Sequence, residues 1–217
     1  MQLFLDGSDI DKIRKYCGLG LIDGVTTNPS IILKSGKNMI EVISELAGIV
    51  SGSVSAEVSA LDSDTMVQEG IKLAEIAENV TVKLPITWDG LKACKTLSNK
   101  GISVNMTLCF SSSQALLAAK AGAEYVSPFI GRLDDLNLEG IDLISDIKLI
   151  YSNYKFSTKV LAASIRTINH VKQCARLGAD VATIPLDIFE KLVEHPLTDS
   201  GLSQFTADWE KTGQSII

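Results

Sequence analysis

Metal-binding side chains are sparse in this sequence. It has two histidines, His170 and His195, and four scattered cysteines, Cys17, Cys94, Cys109 and Cys174, with no CxxC pair. No metal-ligand cluster is readable from that set, and no metal is expected. Five prolines and 16 glycines in 217 residues exclude collagen and low-complexity linkers. No apolar run reaches the roughly 20 residues that a transmembrane helix needs. Basic residues number 20 against 26 acidic ones, a net charge of −6. That balance leaves no global attraction for nucleic acid or an anionic membrane, although a local basic pocket for a small phosphate remains open. The start, MQLFLDGSDI, alternates like a strand with an early Asp6. A signal peptide would show a charged leader and an apolar run, so none is expected. Unpaired thiols then point to the cytoplasm.

What is present describes one large domain. Hydrophobic residues make up 46% and charged residues 21%, a composition that excludes a disordered chain. A domain of this length buries roughly 70% of its unfolded surface and needs no staples. Residues 1–217 are therefore read as a single domain. No linker, charge block or tandem repeat interrupts it. Strand-like runs alternate with amphipathic stretches. The strand candidates are Leu3–Asp6, Gly24–Thr27, Val54–Ser59, Val80–Pro85, Ser103–Thr107, Tyr125–Pro128, Lys159–Ala163 and Val181–Pro185.

Helix signals lie between them. Asp62-Ser63-Asp64 predicts a cap for a helix with apolar Val67, Ile71, Ala74 and Ala77. Ser111 and Gln114 form a capping-box pattern before Ala115–Ala121, and Gly122 follows as the stop signal. Strand–helix alternation implies parallel strands joined by right-handed crossovers. Eight such units predict an α/β fold, a closed (β/α)8 barrel of TIM type. The alternative is an open doubly wound sheet, which more often carries a GxGxxG turn that this sequence lacks. Residues 200–217 carry Leu202, Phe205 and Trp209 at helical spacing. They predict an extra C-terminal helix that packs on the core or on another subunit.

Side chains alternate across a strand, so parity assigns faces. In Thr81-Val82-Lys83-Leu84-Pro85, Val82 and Leu84 suit the helix side, and Thr81 and Lys83 point inward. The same reading sends Asp6, Ser55, Glu57, Ser103, Asn105 and Thr107 inward. It puts Tyr125 and Ser127 on one face and Ala162, Ser164 and Arg166 on one parity. Polar residues thus gather at strand C-terminal ends: Asp6, Thr26, Asn28, Glu57, Lys83, Thr107, Ser127, Ser164 and Arg166. Barrel active sites lie at that face. Lys83 carries the sharpest chemistry. Burial between apolar neighbours disfavours an ammonium, and a neutral amine attacks a ketone to form a Schiff base. The plain alternative is a lysine that snorkels outward or pairs with Glu57.

Five runs carry a family resemblance: Gly24-Val25-Thr26-Thr27-Asn28-Pro29-Ser30, Ser55-Ala56-Glu57-Val58, Thr81-Val82-Lys83-Leu84-Pro85, Ser127-Pro128-Phe129-Ile130-Gly131-Arg132 and Ala162-Ala163-Ser164-Ile165-Arg166. With His195-Pro196-Leu197-Thr198-Asp199 and Asp208-Trp209, they resemble the short-chain branch of the transaldolase and fructose-6-phosphate aldolase family over nearly the whole chain. The resemblance implies a (β/α)8 barrel and a class I aldol mechanism with neither metal nor cofactor. It implies transfer of a dihydroxyacetone unit between sugar phosphates, the transaldolase step of the pentose phosphate pathway. Lys83 would be the Schiff-base nucleophile. Glu57, with Thr107 and a water, would shuttle protons, and Asp6 would take the C4 hydroxyl proton. Thr26, Asn28 and Ser127 would contact the three-carbon unit. Arg132, Ser164 and Arg166 would bind phosphate. For Arg132, a surface ion pair with Asp134 or Asp135 is the structural alternative.

Two positions speak to the branch within the family. Aldolase members tend to carry Gln and Tyr where this chain has Glu57 and Phe129, so the resemblance favours the transferase. Gly7 departs from the family, which usually has Thr after the catalytic aspartate. The remaining alternatives are fructose-6-phosphate aldolase, a non-catalytic sugar-phosphate-binding barrel, and a barrel isomerase or decarboxylase. The expected partners are sugar phosphates and further copies of the chain, because short family members form pentamers or decamers.

Overall fold

The computed structural model describes all residues, Met1–Ile217. Eight parallel strands close into a barrel in sequence order: β1 (Gln2–Asp6), β2 (Gly24–Thr26), β3 (Val54–Glu57), β4 (Val80–Pro85), β5 (Val104–Cys109), β6 (Tyr125–Pro128), β7 (Lys159–Ala162) and β8 (Val181–Pro185). The last pairs with the first, Asp6 beside Pro185, so no sheet edge is left open. The (β/α)8 expectation holds, and the open sheet is excluded.

Local signals explain the elements between strands. Asp62 accepts from the Thr65 amide and caps the helix Ser63–Ala74. Ser111 accepts from the Gln114 amide, and Gln114 reaches back to the Phe110 amide, one residue before the capping-box position. Gly122 ends that helix at φ 90°, a left-handed conformation that glycine adopts without a Cβ penalty.

Parity sorts the strand side chains as expected on β4, β5 and β6. Val82, Leu84, Val104, Met106 and Val126 join the main apolar core between sheet and helices. A smaller cluster of Phe4, Tyr125, Leu161, Ala163 and Val181 fills the barrel interior. The Phe4 and Tyr125 rings meet edge to face at 6.1 Å. Gly24 makes room for them, since a Cβ there would come within 2.5 Å of the Phe4 ring. Nearer the strand starts, Thr81 bridges the hydroxyls of Ser53 and Ser103 at 2.7 and 3.1 Å. Side chains therefore fill the middle of the barrel, and a cavity opens among the strand ends at its C-terminal mouth.

Three expectations need correction. On β7, Leu161 and Ala163 face the interior while Ala162 joins the outer core. Ser164 and Arg166 therefore do not reach the mouth by strand alternation. Ser164 has φ 58°, and that left-handed step redirects the chain. On β5 the strand continues to Cys109, through a register irregularity between Met106 and Cys109 and a left-handed Leu108. The last helix spans Pro196–Thr212 rather than 200–217. His195 caps it by accepting from the Leu197 amide, Pro196 opens it, and Gly213 ends it. None of its residues is buried, so it does not pack into the barrel's own core. No helix is long and apolar enough to cross a membrane.

Candidate active site

At the C-terminal mouth, eight of the predicted residues line one cavity of about 140 Å³: Asp6, Thr26, Asn28, Lys83, Ser127, Phe129, Arg132 and Ser164. Ala163 and Thr183 complete its wall. The register explains the convergence. Asp6 is paired with Thr26, Glu57 with Lys83, and Lys83 with Asn105 across adjacent strands.

Lys83 is almost fully withdrawn from solvent, its side chain 6% exposed. Its Nζ lies 3.0 Å from Glu57 Oε2 and donates to the Thr27 carbonyl at 3.0 Å. It does not snorkel outward. It takes the carboxylate partner that the plain reading named, and the nitrogen still faces the cavity. Glu57 sits behind it, outside the cavity wall, and opens on its other side to a shallow cleft with Met39, Ile40 and Leu73. A carboxylate in that position can exchange protons with both the amine and solvent.

Asp6 accepts a hydrogen bond from Thr26 Oγ1 at 2.8 Å. Burial raises its carboxyl above the ordinary carboxylate value, while the Thr26 hydrogen bond and the Lys83 charge oppose the rise. Gly7, beside it, holds the Thr26 carbonyl through its amide at 3.1 Å. Its φ is not left-handed. A Cβ there would come 3.3 Å from the flexible end of Leu186. The backbone therefore does not demand the glycine that replaces the family's Thr.

Hydrogen bonding sets which polar atoms are left for a ligand. Asn28 caps the helix Pro29–Ser35, and its Oδ1 accepts from the Ile31 amide at 2.9 Å. That leaves its Nδ2 as a donor. Ser127 donates to Asn105 Oδ1 at 2.7 Å, and Asn105 donates to Ser55 at 3.3 Å. The Ser127 oxygen is left as an acceptor. Thr107 is buried on β5, does not line the cavity, and its hydroxyl has no protein partner. Buried hydroxyls rarely stay unpaired, so this one is suited to a water.

The predicted phosphate residues divide. The Arg132 guanidinium lies 5.1 Å over the Phe129 ring, which itself meets Phe110 edge to face at 5.7 Å. Arg132 forms no ion pair with Asp134 or Asp135. Asp134 takes His170 and the Gly140 amide instead. Arg166 is not in the cavity wall. It is bound to Asp135 through its two terminal guanidinium nitrogens, at 2.5 and 2.6 Å.

Two residues were not singled out in the sequence as site residues. Thr183 meets Thr26 at 2.5 Å. Parity applied to β8 finds it, because Ala182 and Ile184 both belong to the outer core. Asn105 was placed inside, but its role in orienting Ser127 depends on a contact that only the closed barrel creates. Cys94, Cys109 and Cys174 are buried, and burial pushes each thiol up to about 12. None of them is poised as a nucleophile.

Known proteins supply the family. The family described as Transaldolase/Fructose-6-phosphate aldolase matches residues 3–216. A protein of Roseobacter denitrificans named probable transaldolase is 64% identical over 217 residues, covering 100% of both chains. Others of the same name from Cereibacter sphaeroides and Parvibaculum lavamentivorans are 61% and 60% identical, over 99% and 100% of their lengths. Among solved structures, a thiamine phosphate pyrophosphorylase from Pyrococcus furiosus aligns with TM-score 0.60 at 14% identity, covering 88% of this chain and 93% of that one. That likeness concerns the fold alone. The full-length match places the chain in the transaldolase and fructose-6-phosphate aldolase family.

Proposed function

We propose that this protein is a transaldolase working through a Schiff base on Lys83. One observation carries the reading: a buried amine at a barrel mouth, 3.0 Å from one carboxylate, in a cavity shared with a second, Asp6. Glu57 takes a proton from Lys83, and the freed Nζ attacks the C2 carbonyl of a ketose phosphate. The same carboxylate, with a water on Thr107, returns a proton as the carbinolamine loses its hydroxyl. The resulting iminium draws the electrons of the C3–C4 bond. Asp6 takes the C4 hydroxyl proton, the bond breaks, and an aldose phosphate departs. A three-carbon enamine remains on Lys83, within reach of Asn28 and Ser127. An acceptor aldose phosphate then captures it, and the steps reverse. A raised Asp6 pKa suits a group that must both take and return a proton near neutral pH.

Arg132 and Ser164 at the cavity rim favour an anionic substrate end, because a guanidinium fork matches phosphate oxygens. Arg166 stands beside them. The exposed apolar face of the helix Pro196–Thr212, with Leu202, Phe205 and Trp209 at 66%, 73% and 46% exposure, favours a homo-oligomer in which a second copy covers it. A cytoplasmic carbohydrate-metabolism role accords with the free cysteines.

The test uses fructose 6-phosphate with and without erythrose 4-phosphate. A transaldolase makes sedoheptulose 7-phosphate only with the acceptor. Rapid release of free dihydroxyacetone without it would assign the aldolase branch instead. Borohydride reduction with substrate present should fix a three-carbon adduct on Lys83. Binding with no adduct would leave a non-catalytic sugar-phosphate barrel.

A further inference from the structure

Arg166 donates two parallel hydrogen bonds to Asp135, the geometry in which a guanidinium also grips a phosphate. The end-on edge of that guanidinium is therefore committed to a side chain outside the cavity. Asp134, its neighbour, is committed elsewhere, to His170 Nε2 at 3.2 Å and to the Gly140 amide at 3.0 Å. Asp135 alone holds the Arg166 fork. The Arg166 stem is fixed against Gly131, where a Cβ would come within 2.8 Å of Nε, and its amide points to His170 Nδ1 at 3.4 Å. The Ser164 carbonyl lies against the same face of Gly131, so Arg166 is anchored next to a residue of the cavity wall.

The ion pair is half exposed, 49% at Arg166 and 51% at Asp135. Pairs in such surroundings are weak and exchange readily. A phosphate dianion carries more charge than a carboxylate and offers more acceptor oxygens, so it can displace Asp135. A neutral sugar end cannot.

We propose that Asp135 is an exchange partner for the substrate's phosphate: it holds Arg166 when no phosphate is present, yields it to the incoming dianion and recaptures it as the dianion leaves. The proposal rests on the reading of Arg166 as a phosphate contact. It answers a demand of group transfer. One phosphate must leave and another must enter the same site while the three-carbon unit stays on Lys83. A competing carboxylate limits phosphate affinity and speeds that turnover of ligands.

The experiment measures the inhibition constant of inorganic phosphate against fructose 6-phosphate for the wild type, Asp135→Asn, Arg166→Ala and the double variant, with Asp135→Ala as a second test of the same position. Freeing the fork should tighten phosphate inhibition about two- to fivefold, the range of an exposed pair. The gain should vanish in the Arg166→Ala background, as a cycle on one shared contact requires. Unchanged or weaker phosphate inhibition in both Asp135 variants, with Arg166→Ala still weakening it, would overturn the proposal alone. Phosphate inhibition indifferent to Arg166→Ala would overturn the phosphate reading of Arg166, and the proposal with it.

Discussion

Thr183 Oγ1 lies 2.5 Å from Thr26 Oγ1, and Thr26 donates its own hydroxyl proton to Asp6 at 2.8 Å. A threonine has one O–H, so Thr183 must be the donor in the first contact. The three residues sit on β8, β2 and β1, and closure of β8 against β1 makes the line possible. Thr183 polarises Thr26 and thereby fixes the acid on which carbon–carbon cleavage would depend. Thr183→Val keeps the shape and removes the donor. We expect kcat to fall about two- to tenfold, the worth of one hydrogen bond, with KM moving less. Thr183→Ser should recover most of the loss. Equal losses in both variants would assign Thr183 to packing.

Asp6 ties the proposed catalysis to stability with a defined sign. Its folded pKa is raised from 3.8, chiefly by burial. Such a group favours the folded state when protonated, below its unfolded value. That contribution is lost as pH rises through the raised folded value. Asp6→Asn removes the charge at every pH. The variant should lose turnover yet melt above the wild type at pH 7, by roughly 2–4 °C per kcal/mol gained. The gap should shrink toward pH 4. Thermal melts of both proteins across that range check it, and a gap that ignores pH would uncouple the Asp6 charge from folding.

Lys83→Met keeps most of the stem and removes the nitrogen. Turnover should drop by at least about 10⁴-fold, the scale seen when a nucleophile is lost. The borohydride adduct should disappear, and far-UV circular dichroism should persist because β4 is held by its ladder to β3 and β5. Some loss of Tm is expected, since Glu57 loses the ammonium 3.0 Å away. Residual turnover with an adduct elsewhere on the chain would reassign the nucleophile.

The barrel was legible because its signals are local. Alternation along β4 and β5 separates Val82 and Met106 from Lys83 and Asn105, and helix caps such as Asp62 and Ser111 announce themselves in the sequence. The site was legible where a strand carries its residue straight to the mouth, as for Asp6 and Lys83. It was not legible where the backbone turns. Ser164 reaches the cavity through a left-handed residue rather than through strand parity. Nor does a residue list say which partner an arginine takes. Both Arg132 and Arg166 were named for phosphate; the ion pair that was the alternative for Arg132 falls to Arg166, which takes Asp135, while Arg132 stacks on Phe129. Such choices depend on distances between loops that only the closed barrel fixes.

The helix Pro196–Thr212 offers the last test. It is capped at both ends, by His195 and Gly213, yet buries none of its residues. A capped helix carrying Leu202, Phe205 and Trp209 on its surface holds apolar area that water disfavours. The barrel's own core is complete without it, since every residue of the main cluster precedes Lys191. Removal of residues 196–217 should therefore leave strand and helix signals of the barrel intact while lowering the native mass measured by light scattering. Phe205→Ser with Trp209→Ser should do the same in the full-length chain, because it removes the apolar contact and keeps the helix. A chain that is monomeric before any change, or an assembly whose mass survives both changes, would remove the helix from the subunit interface. A truncated chain that fails to fold, beside a double variant that folds and keeps its mass, would instead tie the helix to its own barrel.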